Sequence, residues 1–181
     1  WTGDLLSYHY EIASGFIPSD AKVLDIACGS GFGARIIAEK AAEVYGADLD
    51  TDTVLAAREV GGPPNLSFVE EDVTNMTFAD DTFDAVTSME TFEHVDPDGY
   101  LAEIRRVLKP GGKLILSTPQ NRMGRIPVNF AHIREYSLDE TVDYCQRYFE
   151  VTKVIGIKAG RVIVPDDPIG ANLMVVCTKK T

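Results

Sequence analysis

Cysteine is scarce in this chain. Cys28, Cys145 and Cys177 are an odd number, set far apart and without a C-x-x-C spacing. That excludes a thiolate zinc cage, a dithiol redox motif and a disulfide-stapled secreted scaffold, and reads as reduced thiols in a cytoplasmic protein. Long apolar runs are missing too: none approaches the ~20 residues that a membrane-spanning helix needs. The start shows no basic, apolar, small-residue pattern of a signal peptide, so neither membrane insertion nor a leader is expected. Positive charge is in deficit. Seventeen Lys and Arg face 28 Asp and Glu, a formal net charge of -11, with the acids scattered as Glu70-Glu71-Asp72, Asp80-Asp81 and Asp166-Asp167. Such a surface repels nucleic-acid phosphates and anionic lipid, so no nucleic-acid partner is expected.

What is present fits one domain over 1–181. The 181 residues are 45% hydrophobic and 25% charged, the balance of an ordinary globular chain long enough for a sizeable core. Apolar spacing predicts helices over 5–16, 32–42, 51–60, 100–108 and 138–148. Short buried-type strands are predicted over 22–26, 43–47, 66–70, 83–88, 113–118, 151–157 and 173–178. Strand and helix alternate through most of the chain, the pattern of right-handed βαβ units: an α/β fold with a mostly parallel sheet. Pro110-Gly111-Gly112 reads as a turn between helix and strand. The last two strands have only the Pro- and Asp-containing stretch 160–170 between them, which favours an antiparallel pair at one edge of the sheet. The stretch 119–137 lacks clear periodicity and follows a strand's carboxyl end, where open α/β sheets bind ligands.

The most informative segment is VLDIACGSGFG, Val23 to Gly33. Its glycines follow a strand and open a helix, and they satisfy the loose G-x-G-x-x-G/A dinucleotide pattern. Asp25, four residues ahead of Gly29, argues against that ligand, because a carboxylate repels the pyrophosphate such loops hold. It suits a ligand that carries an ammonium and a sulfonium. Asp25-x-Ala27-x-Gly29-x-Gly31 resembles motif I of the class I SAM-dependent methyltransferases, with Ala27 in place of the first glycine. The resemblance continues through Asp48 and Leu49 in GADLD, Asp72 and Val73 in FVEEDV, Met89 in FDAVTSMETFEHV, and RRVLKPGGKLILSTP. It covers nearly the whole chain.

The resemblance implies a Rossmann-like seven-stranded sheet with helices on both faces and the last strand antiparallel. It implies S-adenosylmethionine (SAM) as cofactor, held by Asp25, Ala27, Gly29, Gly31, Asp48, Leu49, Asp72, Val73 and Met89. In this family the acid at Asp48 takes the ribose hydroxyls, and the neighbourhood of Asp72 receives the adenine amino group. The combination YHYEIA, DIACGSGFG, EHV, LKPGGKLILSTPQNR and HIREYS is similar to the ubiquinone-type O-methyltransferases and to small methyltransferases of bacterial surface-polysaccharide gene sets. The expected reaction is methyl transfer to a small-molecule acceptor, at a hydroxyl oxygen. Methylation of RNA 3′ ends and a SAM-binding subunit without catalysis are the competing expectations, the acidic surface weighing against the first.

Methyl transfer from a sulfonium is an in-line displacement in which the protein mainly aligns the partners. The acceptor pocket is expected over the strand ends, between Glu90 to His94, the stretch 119–137, and Tyr8 and Tyr10 of the first helix. Tyr8, His9 and Tyr10 read more readily as helix packing than as acceptor contacts. Glu90 and His94 are the candidate catalytic groups. Glu90, Glu93 and His94 lie at i, i+3 and i+4, so one helical turn puts them on one face. With His132 they make a mixed oxygen and nitrogen set suited to Mg²⁺, Mn²⁺, Fe²⁺ or Zn²⁺. The ubiquinone-type enzymes and the small-RNA terminal methyltransferases, which the EHV and downstream histidine pattern also resembles, both include metal-dependent members that match at ExxEH and at a later histidine.

Overall fold

A computed structural model describes residues 3–121, 132–158, 162–163 and 170–180. Twelve elements of the expected alternation follow one another: α1 (Gly3–Ser14), β1 (Lys22–Ile26), α2 (Phe32–Ala38), β2 (Glu43–Asp48), α3 (Thr51–Val60), β3 (Leu66–Glu70), β4 (Phe83–Met89), α4 (Pro97–Val107), β5 (Leu108–Pro119), α5 (Leu138–Tyr148), β6 (Glu150–Lys158) and, after a two-residue strand β7 (Val162–Ile163), β8 (Asn172–Thr178). A single 3₁₀ turn, Phe92–His94, follows β4.

The strands form one sheet in the order β3-β2-β1-β4-β5-β8-β6-β7. Those from β3 to β5 run parallel, and β8 is antiparallel to both β5 and β6. The expected seven-stranded, mostly parallel sheet is therefore present, and β7 adds a short eighth strand antiparallel to β6 at that edge. Strand side chains alternate between two cores. Val23, Ile115, Met174 and Val176 face α1, α2 and α3, whereas Leu24, Ile26, Leu114, Leu116, Leu173 and Val175 face α4 and α5. Both faces are thus covered, as a doubly wound sheet requires.

Several boundaries move, each for a local reason. Helix α2 stops at Ala38 rather than Ala42, because the Ala42 and Glu43 N–H groups bond to Ala21 O and turn the chain toward β2. Helix α4 starts earlier, at Pro97, capped by the Asp96 carboxylate on the Gly99 N–H. Pro110-Gly111-Gly112 does not stand between helix and strand, because β5 begins at Leu108. It forms a bulge inside β5, where the register jumps from Phe83↔Leu108 to Ala85↔Lys113 and Gly111 takes φ +79°. Helix α5 opens on a reciprocal cap between Ser137 and Glu140, which fixes where the chain re-enters the fold after the stretch 119–137.

Candidate cofactor and acceptor site

Chain order reverses between β1 and β4: from β1 the chain runs outward to β2 and β3, then returns to β4 on the other side. The crevice above the carboxyl ends of those two strands is where an open α/β sheet takes its ligand. The motif lies there. Its loop turns through three left-handed residues, Ala27 (φ +51°), Gly29 (φ +55°) and Gly31 (φ +74°). A Cβ built on Gly29 meets nothing within 4 Å, so space lies open directly above the backbone.

Asp48, at the end of β2, fastens the loop. Its Oδ2 accepts the Gly29 N–H at 2.8 Å and its Oδ1 the Asp50 N–H at 3.1 Å. Each carboxylate oxygen keeps a second lone pair, so both stay able to accept a hydroxyl. Leu49 beside it is 67% exposed, an apolar surface at the rim of the crevice, and Val73 is half-buried. Asp72 is exposed, with Oδ1 occupied by the N–H and hydroxyl of Thr74. Met89 is buried at the end of β4. These features fit a nucleoside with free ribose hydroxyls.

Asp25 departs from its expected place. Its relative exposure is 0%, and its two oxygens accept the Thr87 hydroxyl at 2.7 Å and the Tyr10 hydroxyl at 3.3 Å. Alternation along β1 decides this: Asp25 shares a face with Val23, the face on which α1 packs. Burial pushes its carboxyl up to about 7, against the lowering effect of both hydroxyls. Asp25 is therefore buried beneath the loop on the α1 side of the sheet. Tyr10, one of the two expected acceptor contacts, is the residue that seals it, and Tyr8 packs against the same core. The stretch 122–131, expected to wall the acceptor pocket, lies outside the described residues.

The four expected metal ligands separate into three and one. Glu93, His94 and His132 offer ligand atoms that all lie within 4.8 Å of one another. The backbone brings His132 there, since the Ile133 and Arg134 N–H groups bond to Glu93 O. Each outer ligand has an orienting partner: Thr118 donates to Glu93 Oε2 at 2.8 Å, and His132 Nδ1 lies 2.7 Å from Glu135 Oε1. A carboxylate at Nδ1 is the orienting partner that metal-binding histidines commonly show. Glu90 stands apart. Its oxygens are taken by the Ser117 hydroxyl (2.9 Å) and the Asn172 amide (2.6 Å), because Glu90 adopts φ +54° and leaves the helical spacing assumed for it. Ser117, Asn172, Thr118 and Glu135 were not legible as site residues. Only Ser117 carried a signal, as a polar residue at the inner end of an apolar strand.

A family model described as a methyltransferase domain matches residues 24–116. The chain belongs to that family, the class I SAM-dependent methyltransferases. It is 34% identical over 145 residues to a Mycolicibacterium smegmatis protein described as a SAM-dependent methyltransferase, covering 76% of this chain and 55% of that protein. It is 40% identical over 116 residues to the ubiquinone biosynthesis O-methyltransferase of Xanthomonas oryzae, covering 61% and 46%. The chain thus spans about half the length of these curated relatives. Among solved structures, a Haloferax volcanii methyltransferase in complex with the Trm112 methyltransferase activator superposes with a TM-score of 0.85 at 22% identity, covering 99% of this chain and 92% of that one.

Proposed function

We propose that the chain catalyses SAM-dependent methyl transfer to a hydroxyl oxygen of a small molecule. One observation carries this: the left-handed loop from Ala27 to Gly31 lies open above Gly29 at the switch point of the sheet, fastened by a carboxylate with lone pairs to spare. When bound, SAM supplies an electrophilic methyl group and a thioether leaving group. The chain's own part is placement. Asp48 accepts the ribose hydroxyls, Leu49 and Val73 offer apolar surface to the adenine, and Asp72 marks its polar edge. The likeness to an O-methyltransferase supports oxygen as the acceptor atom.

The acceptor hydroxyl is served by His94, whose side chain is 43% exposed at the mouth of the crevice, together with Glu93 and His132. One carboxylate and two imidazoles suit Zn²⁺, Fe²⁺ or Mn²⁺, and a divalent ion held there would lower the pKa of the hydroxyl. Metal content after purification and after chelation, in the wild type and in His132→Ala, tests this part. Equal content in the two proteins overturns it.

The transfer itself is tested by S-adenosylhomocysteine formation over a panel of phenols, catechols and hydroxylated sugars. Calorimetry with SAM and with NAD provides the simpler check, SAM being expected to bind and NAD not. Heat with NAD and none with SAM would falsify the assignment.

A further inference from the structure

The sealing of Asp25 leaves the cofactor's positive charge without its expected partner. We propose that Glu90, at the end of β4, is the anionic residue that receives the cationic end of SAM, its sulfonium or its α-ammonium. This rests on the SAM assignment above. It differs from a metal role for Glu90 and moves the charge recognition from β1 to β4, across the same switch point.

The hydrogen-bond directions around Glu90 support it. Ser117 has one hydroxyl proton, which goes to Glu90 Oε1. The contact between Ser117 Oγ and His9 Nδ1 at 2.9 Å then requires His9 to be the donor, which fixes its Nδ1–H tautomer. Asn172 donates its amide to Oε2. Two strands, β5 and β8, thereby aim donors at one carboxylate, and α1 backs the first of them through His9. None of those donors brings a charge: burial lowers His9 to about 4, so it stays neutral although Nδ1 lies 3.6 Å from Glu90 Oε1. Burial, and after it the charge of the neighbouring acid Glu93, push the Glu90 carboxyl up to about 8, so a cation arriving with the ligand is what draws it into its charged form.

Glu90 is also held in a left-handed backbone conformation, φ +54°, which is unfavourable for an L-residue. Such strain persists where the surroundings over-determine it, commonly at ligand sites. Its side chain remains 22% exposed. Among the described residues, then, the crevice contains a preorganised carboxyl group held by neutral donors, with an acid as its charged neighbour and a remaining opening. A cation of the ligand completes it.

The order of the sheet agrees with this placement. Asp48 on β2 takes the ribose, so a nucleoside lying across the strand ends toward β1 brings its amino-acid arm to β4 rather than to β3.

The test is calorimetric, with SAM, S-adenosylhomocysteine and 5′-methylthioadenosine, which lacks the amino-acid arm and any positive charge on its sulfur. Glu90→Gln, close in shape but neutral, is expected to weaken SAM about tenfold and to leave methylthioadenosine within about twofold. That is a modest share of what a charge pair ~4 Å apart gains near a protein surface. If S-adenosylhomocysteine falls with SAM, the partner is the ammonium; if only SAM falls, it is the sulfonium. Asp25→Asn is expected to leave SAM within about threefold, and that result does not depend on the folding of the Glu90 variant. The proposal is overturned if Glu90→Gln leaves SAM unchanged or weakens all three ligands alike, or if Asp25→Asn selectively weakens SAM. If the wild type binds none of the three, the SAM assignment fails and this inference fails with it.

Discussion

Ala27 occupies a left-handed position, φ +51°, that the family fills with glycine. A left-handed conformation costs an L-residue roughly 1–2 kcal/mol, and glycine forfeits roughly 0.4–1 kcal/mol through its freer unfolded chain. Ala27→Gly is therefore expected to stabilise the fold by about 0.5 kcal/mol, seen as a higher urea midpoint with an unchanged slope; a lower midpoint would show that the methyl group makes a compensating contact. Two other residues link stability to pH. Asp25 has its folded-state pKa raised to about 7 from 3.8, chiefly by burial. Its contribution is complete below about pH 4 and is lost as pH rises through 7. His9 is lowered from 6.5 to about 4, again by burial, so its contribution is complete above 6.5 and is lost as pH falls toward 4. Above pH 6.5 the raised acids, among them Asp25 and Glu90, act in one direction, and each excess proton held by the folded chain changes stability by about 1.4 kcal/mol per pH unit. Stability should thus decline between pH 6.5 and 8. Asp25→Asn should flatten the decline between 6.5 and 7, measured as urea unfolding across that range.

At the level of elements, the position of α1 is what organises the site. Two consecutive residues of that helix reach two acids at the ends of different strands: Tyr10 meets Asp25 on β1, while His9 meets Ser117 on β5 and through it Glu90. The approach is close because α2 carries Gly33 beneath the Tyr10 ring, where a Cβ would stand 1.9 Å from a ring atom. Neither partner can yield without moving a whole helix. Gly33→Ala is expected to destabilise by about 1–3 kcal/mol, the usual cost of overpacking. Most of that loss should vanish in a Tyr10→Ala background, since the clash is with that ring. Additive losses in the double-mutant cycle would locate the cost elsewhere. Arg58 of α3 guards the other end of the sheet. Its Nε and Nη2 both donate to Phe68 O on the edge strand β3, occupying a carbonyl that another strand would otherwise pair with. Arg58→Ala should raise the tendency to self-associate, read by light scattering; a monomer unchanged at high concentration would count against this role.

For the whole molecule, the relevant quantity is charge. At a net -11, binding a polyanion releases few counterions and meets long-range repulsion. Affinity for single-stranded RNA at physiological salt is expected to be weaker than micromolar, as measured by fluorescence anisotropy. Sub-micromolar binding would revive an RNA terminus as acceptor in place of a small molecule. No helix among the described residues is long and apolar enough to cross a membrane.

The sequence alone determined the α/β class, the order of strands and helices, and the Gly-rich loop proposed to hold the cofactor. Those properties are local: apolar period, the Gly-rich turn after β1 and the acid that ends β2 are all set within a few residues of one another. Strand β1 and helix α3 were legible to the residue for that reason. Other features were not local. Whether Asp25 faces a ligand or the interior depends on which helix packs on its side of the sheet, and that helix, α1, is separated from it only by sequence but selected by the fit of Tyr10 over Gly33. Glu90 was assigned to a helical turn by spacing, yet a left-handed φ and two donors from β5 and β8 turn it away from Glu93 and His94. Asn172 lies 82 positions from Glu90, a distance that no periodicity spans. Tertiary structure decided these points because buried carboxylates must be satisfied by whatever donors the packing delivers, and in this fold those donors come from strands that become neighbours only once the sheet has formed.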